Sequence, residues 1–170
     1  LASAYLSILV DTARRLADPS AERCRELAAR LLLSAAPALL CGPGVGAAER
    51  KRHVSLFLQY VIPVVRYRLS PPRAAAEEEG EQAATAAAGD EEEAEEVRVL
   101  LVRLIRRTVE CLARSGQDAL SLLEPFIKDL SVALHRAISD RFHTVVIVSA
   151  CCCSSSPALT VFLIPSSLPS

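Results

Sequence analysis

The sequence predicts an all-α protein, a row of antiparallel helix pairs, on three observations. Of 170 residues, 51% are hydrophobic while only 4% are aromatic. Leu, Ala and Val carry that apolar content, which suits packed helices better than a β-sandwich. Apolar residues recur three and four apart over five long segments, the spacing of one helix face. Short breaks, Asp18-Pro19, Ser70-Pro71 and Ser139-Asp140, separate the segments into pairs.

The first helix is expected over residues 4–17, with Leu6, Leu9, Val10, Ala13, Leu16 and Ala17 on one stripe and Asp11, Arg14 and Arg15 opposite. Asp18-Pro19 ends it, because the residue before proline is pushed away from the α region. The same pair fits a helix start, with Asp18 as N-cap and Pro19 at the first position. The second helix then runs to about Ala36. Its stripe is Cys24, Leu27, Ala28, Leu31, Leu32 and Ala35, and Glu22, Arg23, Arg25, Glu26 and Arg30 are expected in water. Glu26 precedes Arg30 by four residues, a helix-supporting pair.

"GPGVG", residues 42–46, reads as a loop. The third helix covers roughly 48–69 through Val54, Phe57, Leu58, Val61, Ile62, Val65 and Leu69. Pro63 lies within it and is expected to kink it near Gln59. "SPPR", residues 70–73, stops it. An acidic stretch follows: residues 74–97 hold ten acids and no Lys or Arg, so the rest of the chain carries nineteen bases against ten acids, a net charge of +9. The net value of −1 hides this division of a basic body from an acidic insert. The Ala/Glu/Gly composition cannot bury a core, so residues 74–94 are expected to be a disordered insert.

The fourth helix is expected from about Glu95 to Ser115, with Val97, Leu100, Leu101, Leu104, Ile105, Thr108 and Leu112 inward. Arg98, Arg103, Arg106, Arg107 and Arg114 make an outer basic face. Gly116 stops the helix. Asp118 is expected to cap a fifth helix to about Ser139, with the stripe Leu120, Leu123, Ile127, Leu130, Leu134 and Ile138.

The pattern repeats. "VIPVVR" and "LEPFIK" place Pro63 and Pro125 in like positions of two helices, 62 residues apart. Removing the insert leaves a period of about forty, that of HEAT and armadillo repeats. The expected architecture is a HEAT/armadillo-like α-solenoid over residues 1–145, two full pairs and a truncated third. Residues 146–170, charge-free and rich in Ser, Cys and Pro, depart from helical periodicity and are expected to be an aberrant or disordered tail. Leu123, Ile127, Leu130 and Leu134 would then be partly uncovered, so self-association through the truncated end is expected. The absence of Met points to a fragment of a longer chain.

No chemical motif rises from this background. Cys24, Cys41 and Cys111 stand singly and Cys151, Cys152 and Cys153 in a row, which is neither a disulfide framework nor a zinc spacing. Cys24 and Cys111 fall on apolar stripes, as small hydrophobes in a reducing compartment. His53, His135 and His143 have no His or Cys at ligand spacing. "GPGVG" lacks the Lys-Ser/Thr of a phosphate loop. Hence no catalytic residue, cofactor or metal ligand is assigned, and the chain is not expected to be an enzyme. Nucleic acid is not expected as a partner, since no aromatics interleave the arginines. The acidic insert is the more economical partner for them. The uncharged run from Thr144 is long enough to span a bilayer, but three serines and Pro157 interrupt it, so a membrane is not expected. The start, "LASAYLSILVDTARR", lacks a basic leader.

With the joints and repeats in place, the chain resembles the HEAT-repeat dynein axonemal assembly factors. "LADPSAERCRELAARLLL" is similar to an early repeat of that family through Leu16, Asp18, Pro19, Cys24, Arg25, Leu27, Ala28, Leu31 and Leu32. "VRVLLVRLIRRTVECL" resembles the next leucine-rich second helix. "AISDRFHTV" resembles the following turn through Asp140, Phe142 and Val145, with Arg141 where the family has proline. The likeness covers about residues 5–145. It implies a cytoplasmic, non-enzymatic scaffold in the preassembly of dynein arms for cilia and flagella, whose partners are dynein chains or assembly chaperones. The alternative readings are a HEAT adaptor of nuclear transport or of a phosphatase, or a tail-anchored membrane protein.

Overall fold

A computed structural model describes residues 2–42, 46–70, 94–142 and 144–149. Among them every regular element is a helix: α1 (Ala2–Ala17), α2 (Glu22–Cys41), α3 (Ala47–Leu69), α4 (Glu95–Ser115), α5 (Gln117–Ser121), a 3₁₀ turn (Glu124–Phe126) and α6 (Ile127–Ile138). A further helical stretch, α7, covers 144–149. The all-α expectation therefore holds.

The packing is layered. α1 packs on α3 and α3 on α6, while α2 lies along α4 in the most extensive helix contact among the described residues. α1 and α2 close the first pair. Helices alternate between two layers along the chain, an arrangement compatible with an α-solenoid.

α3 and α4 form where periodicity places them. All seven stripe residues of α3, from Val54 to Leu69, are buried, and so are all seven of α4. α4 goes further: Val99, Val102, Val109 and Cys111 are buried as well. A helix apolar on most of its circumference belongs in the middle of a core. Its buried Thr108 satisfies its hydroxyl by donating to the Leu104 carbonyl at 2.8 Å. Gly116, at φ +100°, ends α4 in a conformation other residues rarely adopt.

Several expectations are corrected. Asp18 does not cap α2, whose N-cap is Ala21. Its Oδ1 instead accepts the Ser20 amide at 2.9 Å, closing a turn before the helix begins. α2 does not stop at Ala36 but continues through Pro37 to Cys41. Burial of Ala36 and Leu40 outweighs the hydrogen bond that proline cannot donate. α2 is also rotated from its expected setting. Leu27 and Leu31 are 52% and 50% exposed, and the inward face is Arg25, Ala28, Ala29, Leu32, Ala36 and Leu40. α3 runs through Pro63.

The expected fifth helix is broken. Asp118 lies in the first turn of α5, which starts after Gly116, and Pro125 sits in the 3₁₀ turn before α6. Leu123, Leu130 and Leu134 are buried, contrary to the expectation that they are partly uncovered, whereas Ile127 is half-buried and Ile138 is 41% exposed. Helical structure crosses the expected boundary at residue 145, with Val145 and Ser149 buried in α7. The insert at 74–93, residues 43–45 of the glycine-rich loop, 71–73 of "SPPR", His143 and the tail from 150 lie outside the described residues.

Candidate functional site: arginine-bound turns and an outward apolar face

Three arginines expected in water, or given no role by the sequence, turn out to organise the fold. Arg25, Arg68 and Arg98 are 7%, 2% and 3% exposed. Arg25 Nη1 donates to the carbonyls of Asp18 at 3.0 Å and Pro19 at 2.8 Å. Arg68, near the end of α3, donates through Nε to the Leu16 carbonyl at 3.3 Å and through Nη2 to that of Ala17. The last carbonyls of a helix have no partners within it and carry the negative end of its dipole. One guanidinium from α2 and one from α3 therefore hold the end of α1 and its turn.

Arg98 does the same for the turn after α6, through a side chain. Its Nε donates to Asp140 Oδ2 at 2.7 Å, with Nη2 on the same oxygen. Asp140 Oδ1 accepts the Phe142 amide at 2.9 Å. The Asp140 turn thus repeats the Asp18 turn, a carboxylate accepting the amide two residues on. Asp18 is exposed, and its hydrogen bonds from Ser20 hold its carboxyl below the ordinary value of 3.8.

The expected basic face of α4 is therefore divided. Arg98 is inside. Arg106 Nε donates to Glu110 Oε1 at 2.7 Å, and Arg107 Nη1 lies 3.6 Å from Glu110 Oε2. The Arg106 hydrogen bond holds the Glu110 carboxyl below its usual range, with smaller help from the charges of Arg106, Arg107 and Arg114. Arg103 and Arg114 are exposed. Part of the basic face is matched within its own helix.

Of the histidines, His53 packs against Tyr5 with ring centroids 4.5 Å apart and the planes tilted by 47°, and its Nε2 lies 3.9 Å from Glu49 Oε1. The Tyr5 hydroxyl donates to the His53 carbonyl at 3.3 Å, and burial pushes its pKa up to about 12. His135 is exposed. Among the described residues no group of three His, Cys, Asp or Glu could hold a metal ion. A cavity of about 390 Å³ opens between the start of α3 and α5, lined by Arg50 and Lys51 on one side and by Asp118 and Ser121 on the other. It brings both signs of charge together.

α2 also presents an outward face to solvent. Leu27, Leu31, Ser34 and Ala38 are all exposed at spacings of three and four, on the side away from the core. No helix among the described residues is long and apolar enough to cross a membrane. Comparison with protein-family models, with curated proteins and with solved structures gave no match to this chain.

Proposed function

We propose that this chain is a non-enzymatic HEAT-like scaffold acting in the cytoplasmic preassembly of axonemal dynein arms. The observation that carries the scaffold reading is the pair of Asp turns, at Asp18 and Asp140. Each closes on the amide two residues later, and each is bound by a buried arginine from the helical body. Like turns that recur between successive helices are what a helical repeat requires. The dynein assignment rests on the resemblance carried by residues 16–33, 97–112 and 137–145. The partner would dock on stacked helices, using apolar side chains such as Leu27 and Leu31, where burial supplies about 25 cal/mol per Å².

Depletion in ciliating cells tests the assignment. The expected result is immotile cilia lacking dynein arms in cross-section, with dynein heavy chains retained in the cytoplasm, and recovery on re-expression. Normal arms after complete depletion would rule out the dynein role while leaving the scaffold reading to be judged by other partners.

A further inference from the structure

Cys41 and Cys111 lie seventy positions apart in the chain and meet where the end of α2 rests on α4. Both are free thiols, Cys111 within the core and Cys41 packed against it. The backbone around them is fixed by one hydroxyl: Ser115 Oγ lies 3.2 Å from the Leu40 carbonyl oxygen and 3.0 Å from that of Cys111. A single side chain thus ties the residue before Cys41 to Cys111 itself. Leu40, Cys111 and Leu112 are 0% exposed, so the junction lies in the core, whereas Cys41 is only half-buried. Cys41 keeps some exposure to solvent, while Cys111 is buried.

We propose that Cys41 and Cys111 are a disulfide-forming pair that staples α2 to α4, with a small-molecule disulfide such as oxidised glutathione as the oxidant. Cys41, the more exposed thiol, loses its proton to solvent. Its sulfur attacks one sulfur of the glutathione disulfide, that S–S bond breaks, and one glutathione leaves as thiolate and takes up a proton. Cys111 then releases its proton, and its sulfur displaces the second glutathione from Cys41. Two protein thiols become one disulfide while one glutathione disulfide becomes two thiols. Burial, reinforced by Cys41, pushes the Cys111 thiol up to about 12, so the second step is slow and accelerates with pH.

The full chain, incubated with oxidised glutathione, alkylated and cut with trypsin without reduction, gives the test. Each of the six cysteines occurs in a tryptic peptide separate from those of the other sites: Cys41 in 31–50, Cys111 in 108–114, Cys24 in 24–25 and the three tail cysteines together in 142–170. The expected product is peptide 31–50 joined to 108–114, lighter by two hydrogens than the pair of thiols. Its unfolding midpoint rises by about 5–15 °C, the range for a loop of this length, and falls back with dithiothreitol. In Cys41→Ser the link is absent and Cys111 stays a free thiol. Glutathione retained on 31–50 while 108–114 is alkylated, 108–114 joined to any other cysteine, or both thiols left free would each overturn the proposal.

Discussion

Arg98 of α4 sets its guanidinium on the carboxylate of Asp140, forty-two residues further along, with the two side chains only 3% and 1% exposed. A charge so placed cannot lose its partner cheaply. Arg98→Met is expected to cost about 3–5 kcal/mol, because it leaves the Asp140 carboxylate buried and uncompensated. Asp140→Asn added to Arg98→Met keeps an acceptor for the Phe142 amide and removes the stranded charge. The double variant is therefore expected to recover part of the loss, and chemical denaturation of the four proteins in the cycle measures it.

Arg68 makes its bonds with a planar fork to two successive carbonyls, Leu16 and Ala17. Lysine offers charge without that geometry. Arg68→Lys is expected to destabilise by roughly 1–3 kcal/mol, the cost of a buried polar group left unpaired. Exchange of amide protons should quicken first in the last turn of α1.

Leu104, 1% exposed, and Leu27, 52% exposed, separate core from surface. Leu104→Ala is expected to cost about 2–5 kcal/mol. Leu27→Ala should stay within about 0.5 kcal/mol. Equal losses in thermal unfolding would mean that α2 faces the core through its leucines.

Glu110 gives the acid dependence a sign. Its carboxyl is held below the ordinary 4.5 by Arg106, so its contribution is complete above that value and is lost as pH falls through the lowered one. Glu110→Gln should therefore unfold less steeply on the acid side than the parent. Stability measured from pH 6 down to pH 2 checks this.

The helices that the sequence places well, α3 and α4, each carry one unambiguous stripe of large apolar residues. α2 carries two. Leu27 and Leu31 outweigh Ala28, Ala29 and Ala36 by hydrophobicity, yet the alanines are the buried ones. A stripe read by bulk alone selects the wrong side. Arg98 was invisible for another reason: on α4 it joins a row of arginines, and the carboxylate that draws it inward belongs to a turn far along the chain. The Asp18-Pro19 joint was legible as a break, but its hydrogen bonds depend on Arg25 and Arg68 arriving from two other helices. The Cys41–Cys111 meeting likewise requires α2 to pass Pro37, which local proline chemistry argues against.

Affinity capture of the tagged full-length chain from the cytoplasm of ciliating cells tests the scaffold account most directly, with Leu27→Glu/Leu31→Glu as the comparison. Both leucines are half-exposed, so the variant should keep the parent's helical signal and unfolding midpoint. The account predicts axonemal dynein chains and assembly chaperones captured with the parent, and their loss, tenfold or more, with the variant. Capture of no dynein chain by the parent, or equal capture by a folded variant, would contradict it.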